Sequence, residues 1–298
     1  MVFLLKLKDS FHTYALTTTI FWALGKAGTR IAMRHFSAGS FGLWRCFIAS
    51  CVLTVVVLVT KIRLPKKEDI KWVFAAGGFG FFLYMIAFNK GSETVTVATA
   101  SVILATAPVV TAILASILYK EKLNALQWFA TFLELAGVML ITLMEGAFTV
   151  NHGLIWLFLA ILSVSLYNIF QRKLTKTYSG LQASTYSMFA GTLMLAIFSP
   201  QAIQEMQSAP PVQVLYVVVL GVFSSALAYA TWSIAFEKAK LASSVSNYMF
   251  VTPFLSSLMG VWLADEIPTV STLVGGAIIL SGMLLFNFEA KIREFFQT

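Results

Sequence analysis

The chain has 298 residues, 58% hydrophobic and only 11% charged, with a mean hydropathy of +0.82. A soluble domain carries roughly a quarter charged residues, so water is excluded as the solvent for most of this surface and lipid takes its place. The net charge of +8 would suggest a nucleic-acid partner in a soluble protein, but here the basic residues sit in short segments between apolar stretches, where they act as a topology signal.

Ten apolar spans follow in chain order, at about 13–34, 40–60, 70–89, 95–119, 125–144, 153–172, 181–199, 212–235, 240–264 and 270–289. Each is long enough to cross roughly 30 Å of hydrocarbon. Each must be helical, because lipid offers the backbone no hydrogen-bond partner. Lys6 and Lys8 precede the first span without a small-residue cleavage site, so that span reads as a retained helix.

Span one holds Trp22, Lys26, Arg30 and Arg34 at four-residue steps, hence on one helix face. Arg34 and Arg30 can snorkel to an interface. Lys26 lies about 12 Å deeper than Arg34 and needs water or a partner. Two readings stand open: Lys26, helped by Arg30, attracts an anionic substrate group, or it pairs with Glu134 in span five. Arg45 in span two reads as structural. Cys46 and Cys51 read as small buried hydrophobes, without metal-ligand spacing.

Span four contains Pro108 and span nine contains Pro253. Each proline removes a backbone donor and displaces the carbonyl four residues earlier, Leu104 and Met249, so both predict bends lining a site. Glu121 and Glu266 follow thirteen residues later, and Asn124 and Thr269 three further on. The latter two predict N-caps, and a carboxylate just before a helix start suits its dipole, which favours a structural role for both acids. Glu134 is the one acid deep inside a span; a helix contact is preferred to a proton site. Trp22, Tyr84, Asn89, Tyr167, Asn168, Tyr229, Trp232, Ser246, Asn247 and Tyr248 supply an aromatic and polar pocket, of which about half is expected to face a cavity. Gly77, Gly78, Gly80, Gly275 and Gly276 predict close helix contacts.

Sixteen of the 21 Lys and Arg fall on one side of the ten-span arrangement, against Arg34 and Lys90 on the other. That bias places both termini in the cytoplasm. The chain also aligns with itself at an offset of 145 residues: Tyr84 meets Tyr229, Ser101 meets Ser246, Pro108 meets Pro253, Glu121 meets Glu266 and Gly137 meets Gly282. Identities number 8 in 60 between 84–143 and 229–288, and the spans stay in register, with Trp22 meeting Tyr167. Five is odd, so the halves must insert with opposite polarity. Such inverted repeats are the architecture of secondary transporters.

These features resemble the EamA family of the drug/metabolite transporter superfamily. The resemblance rests on Pro108–Glu121–Gly137, repeated as Pro253–Glu266–Gly282, and on Trp22, Gly25 and Arg45 in the opening spans; in the second half Tyr167, Phe170 and Ala190 depart from that opening. It implies a ten-helix basket with helices one, three, four, six, eight and nine around a cavity, and five and ten at the periphery. The expected protein is thus an all-α integral membrane protein of the cytoplasmic membrane, with repeats at 1–147 and 148–298. The expected function is secondary carriage of a small metabolite, an amino acid or related anionic compound, outward by alternating access. Multidrug or lipophilic-cation efflux is the alternative, and a membrane-embedded enzyme a weaker one. No Walker loop, HExxH or GxSxG is present; no cofactor, metal or nucleic acid is expected. A proton or another ion is left as the coupling partner.

Overall fold

The computed structural model describes residues 10–94, 100, 103–145, 152–264 and 270–297. They form ten helical rods. These are α1 (Phe11–Ala32), α2 (Ala38–Thr60), α3 (Lys67–Thr94), α4 (Ala107–Tyr119), α5 (Ala125–Glu145), α6 (Gly153–Leu174), α7 (Gly180–Gln207), α8 (Pro211–Lys238), α9 (Ala242–Ala264) and α10 (Val270–Gln297). Five of them, α2, α3, α6, α7 and α8, are long and apolar enough to cross a membrane outright. The outside is apolar: Leu58, Val59, Ile155 and Leu193 are among the most exposed side chains. The inside is rich in small polar groups, Ser163, Ser165, Ser184, Ser187, Ser225 and Ser233 among them, all buried. That inversion of the soluble pattern is what a lipid solvent selects.

The helices interlock across the two halves. The α1 rod packs on α8, and its repeat counterpart α6 packs on α3; α5 and α10 pack chiefly on each other. Close approach is set by glycines. A Cβ on Gly77 would sit 2.6 Å from the Ser187 carbonyl and 2.8 Å from the Gly191 nitrogen of α7. One on Gly137 would meet the Gly275 carbonyl of α10 at 2.8 Å. The obstacle at Gly77 is backbone and cannot swing away. Gly77→Ala is therefore expected to cost about 1–3 kcal/mol by prising α3 from α7, read as a lower thermal midpoint of the detergent-purified protein. An unchanged midpoint would show that the contact yields.

Both fourth helices are broken at matching places. In α9 the α-helix stops at Ser246, turns 3₁₀ over Asn247–Phe250 and resumes at Val251, so that Pro253 sits in the first turn of the resumed helix. In α4, turn residues 105–106 precede Ala107 and Pro108 opens the new helix. The third helices are also matched: α3 is π-helical over Gly78–Leu83 and α8 over Leu220–Leu227. Such wide turns re-aim side chains, and they recur at functional sites.

Charged groups near the helix ends satisfy the ends of other helices. Glu121, 8% exposed, accepts from the Ala242 backbone nitrogen at 3.0 and 3.1 Å, from the Ser243 nitrogen at 3.5 Å and from the Ser243 hydroxyl at 3.3 Å. It therefore caps α9, not the α5 that follows it in sequence. Asn124 does cap α5, accepting from the Gln127 nitrogen at 2.9 Å while Gln127 accepts from the Asn124 nitrogen at 3.1 Å, a reciprocal capping box. Glu205 takes the Ser37 nitrogen at 2.9 Å at the start of α2, and Glu237 takes the Gly180 nitrogen at 2.5 Å at the start of α7. Arg172 donates to the Phe236, Ala239 and Lys240 carbonyls at the end of α8. The pairings of Glu121, Glu205, Glu237 and Arg172 each match a charge to the orphan groups and dipole of a helix end.

Some boundaries differ from those read off the sequence. Residues 199–207 are a short polar helix, not a loop, and carry the Glu205 cap. The last helix runs on to Gln297. Cys46 is buried, but Cys51 faces outward from α2 and is not a core residue. Glu266 and Thr269 lie outside the described residues.

Candidate functional site

A cavity of about 110 Å³ opens between the two halves, lined from α1, α2, α3, α6, α8, α9 and the segment before α4. Among its described lining residues α5, α7 and α10 contribute none. The lining adds α2 to the six helices expected, and α2 brings Arg45.

Arg45 is 6% exposed. Its Nε and one terminal nitrogen both donate to the Ser225 hydroxyl, at 3.3 and 3.1 Å, and its guanidinium carbon lies 5.3 Å from the centre of the Phe41 ring. No carboxylate among the described residues pairs with it. The serine is presented by the π-helical stretch of α8, whose neighbour Ser224 donates to the Phe21 carbonyl of α1 at 2.8 Å. A Cβ on Gly25 would lie 2.6 Å from the Ser224 Oγ and 3.0 Å from its Cβ, so any larger residue there would force the serine to shift. The spacing of Trp22 and Gly25 thereby acquires a reason: both lie on the α1 face that meets α8 and the cavity.

The rest of the wall is aromatic and apolar. Trp22 packs edge-on to Tyr229 with ring centres 5.4 Å apart, and Tyr84 stacks on Phe88 at 5.7 Å. Tyr84 and Tyr229 are repeat counterparts, so the two halves deliver the same residue to the same cavity. Both proline breaks contribute wall: Leu104 and Ala105 before α4, Met249, Thr252 and Pro253 in α9. The Thr252 hydroxyl is buried without a hydrogen-bond partner.

Among the remaining candidate residues, seven are placed behind this wall. Asn89 ties α3 to the start of α2 through the Ala38 carbonyl at 2.9 Å. Asn168 accepts from the Trp232 indole at 2.9 Å and donates to Thr111 at 3.3 Å. Tyr167 is wedged between Phe81 and Tyr229. Ser246 donates to the Ser243 carbonyl at 3.1 Å within α9. Asn247 and Tyr248 face away toward α5 and α1: Asn247 donates to Glu134 at 2.5 Å, and the Tyr248 hydroxyl lies 2.6 Å from His12 Nδ1. The side chains of Lys26 and Arg30 lie outside the described residues, and Glu134 has no ion pair with a described one. Sequence reasoning gave Arg45 a structural place and did not bring it to the cavity wall, because the π-helical stretch that aims Ser225 at it leaves no periodicity signal. Its one clue was the position of an arginine after the Trp22 and Gly25 pair.

The sequence profile of the EamA-like transporter family matches the chain twice, over residues 10–143 and 151–288. An uncharacterized transporter, YdfC, of Bacillus subtilis is 32% identical over 284 residues, covering 93% of this chain and 91% of that one. A protein named "Probable terminal-alkyne amino-acid exporter" in Streptantibioticus cattleyicolor is 28% identical over 283 residues, covering 94% and 95%. An S-adenosylmethionine uptake transporter of Rickettsia bellii is 26% identical over 266 residues, covering 89% and 87%. One solved crystal structure matches with a TM-score of 0.74 at 18% identity, over 94% of this chain and 99% of that one. At that identity the likeness is one of fold.

Proposed function

The chain belongs to the EamA-like transporter family, and on that premise we propose that this multi-pass membrane transporter carries a small metabolite bearing a carboxylate, of the amino-acid class, outward across the cytoplasmic membrane. The observation that carries the reading is Arg45: a buried guanidinium on the cavity wall, held by one hydroxyl and by no described carboxylate. A buried charge left so poorly compensated is costly, and a ligand carboxylate would complete it with charge-assisted bonds. The aromatic wall suits the apolar part of a small amphipathic ligand. Two relatives are named for an amino acid and an amino-acid derivative, and those names differ on direction. Lys26 and Arg30, on the same helix as Trp22, remain candidates for drawing the anion in. Both termini are assigned to the cytoplasm from the basic bias of the loops.

The lipophilic-cation alternative lacks what it needs, since no described residue lining the cavity is acidic. The two readings separate in a thermal-shift screen of purified protein against amino acids, organic acids, nucleosides and cationic dyes. A ligand at a hundred times its Kd stabilises by about 2.7 kcal/mol. Free carboxylates are expected to raise the midpoint and their methyl esters to leave it alone. Stabilisation by the dyes and by no carboxylate would overturn the assignment. Hits then go to counterflow in liposomes of both orientations, which reads carriage and direction.

A further inference from the structure

A second polar cluster lies away from the cavity, where α5, α9 and α10 meet. Glu134 is fully buried there. Its Oε2 accepts from the Asn247 amide at 2.5 Å, and its Oε1 has no partner. The Asn247 side-chain oxygen is 3.5 Å from the Asn287 amide nitrogen, and the Asn287 side-chain oxygen is again unpartnered. The cluster therefore holds two buried acceptors without a hydrogen-bond partner among the described residues.

Space has been made for it. A Cβ on Gly282 of α10 would lie 2.5 Å from Glu134 Cγ and 3.0 Å from the Ala130 carbonyl. The inverted repeat does not require the acid: at the 145-residue offset Glu134 answers to Ile279, Asn247 to Val102 and Asn287 to Thr142.

The groups facing Glu134 are few. From α9 comes Tyr248, next to Asn247, whose hydroxyl is 2.6 Å from His12 at the start of α1. From α10 comes Asn287, with the buried, partnered Glu289 two residues on. No described lysine or arginine is in ion-pair reach. His12 is half-buried in the first turn of α1. Asn247, for its part, is the first residue of the 3₁₀ break in α9, just ahead of the cavity residues Met249, Thr252 and Pro253.

We propose that Glu134 is the proton-binding residue that couples transport, its charge state passed through Asn247 to the broken segment of α9. This rests on the carrier reading above. The step is a simple protonation: the carboxylate and a hydronium ion give the acid and water, and Oε1, an acceptor without a described partner, becomes an oxygen that can donate. The ionised form leaves a charge in a dry site with one hydrogen bond. Either change alters the pull on Asn247 and so the set of α9 at the cavity.

The test uses the full chain in liposomes. Infrared difference spectra on stepping from mildly alkaline to mildly acidic pH are expected to show a buried carboxyl C=O band in the wild type that is missing in Glu134→Gln. A pool of radiolabelled amino acids provides the transport arm. The wild type is expected to accumulate label against its gradient when driven by a pH difference. Glu134→Gln, which keeps the Asn247 contact, is expected to retain exchange but fall to the equilibration level. Undiminished pH-driven accumulation by Glu134→Gln, or accumulation driven by sodium alone, overturns the proposal, as does a wild-type spectrum without the band. If Glu134→Gln does not fold, Glu134→Asp carries the same test, its band displaced in frequency. Exchange of the pool by neither protein would count against the substrate class, whereas the infrared band still decides whether Glu134 binds the proton.

Discussion

Glu121→Ala is expected to destabilise the protein by about 2–4 kcal/mol, more than the glycine contact at Gly77 loses on substitution by alanine. The carboxylate is almost fully buried and takes two backbone donors and a hydroxyl at the first turn of α9. Truncation leaves the Ala242 and Ser243 nitrogens without acceptors at a site that little water reaches. Hydrogen bonds to a charged group contribute roughly 1.5–3 kcal/mol, and each buried donor left unpaired costs about 1–3 kcal/mol; the helix dipole adds several tenths. Partial relaxation keeps the total below the sum. Glu121→Gln should fall between, because one amide oxygen can still accept while its NH₂ finds no acceptor in the cap. The measurement is thermal unfolding of detergent-purified variants followed by size-exclusion. Glu237→Ala, whose carboxylate makes a single bond to the Gly180 nitrogen at the start of α7, should lose less. Equal losses would mean that the multiple bonds of Glu121 add nothing.

The architecture was readable because lipid imposes a simple rule: long apolar stretches must be helices, and basic loops mark one side. The ten spans, the matched prolines and the glycine contacts at Gly77 and Gly275 all follow from that rule and the repeat. What acts over long sequence separation was not readable. Glu121 appeared to serve the adjacent α5, yet its carboxylate reaches α9, over a hundred residues on. That Arg45 lines the cavity was not visible either, because its one described polar partner, Ser225, lies 180 positions away and is aimed by a π-helical turn. Asn168 of α6 looked like cavity lining, but it clasps α6 to Thr111 and Trp232, as Gln171, one turn on, clasps it to Ser187 and Ser233. Helical periodicity gives the face a residue occupies, and a polar residue in a membrane bundle has two uses for an inward face, a clasp or a wall.

Arg45→Met should separate binding from stability with opposite signs. A guanidinium that meets a carboxylate contributes about 1.5–3 kcal/mol, so the apparent affinity of a carboxylate found in the thermal-shift screen should fall roughly 10- to 100-fold. The empty protein should not suffer. The substitution takes a charge out of a buried site where only a hydroxyl and an aromatic face compensate it, and replacing such a charge by an apolar group of similar length is often neutral or stabilising. Arg45→Lys keeps the charge but loses the planar fork, so it should recover part of the affinity and none of the bidentate geometry. A purely structural arginine gives the reverse pattern, a lower unfolding midpoint with ligand affinity intact in whatever folded protein remains. Thermal midpoints with and without ligand, measured on both variants, decide between the two roles in one experiment. Tyr84→Phe and Tyr229→Phe serve as references, because they alter the same wall without touching its one described positive charge.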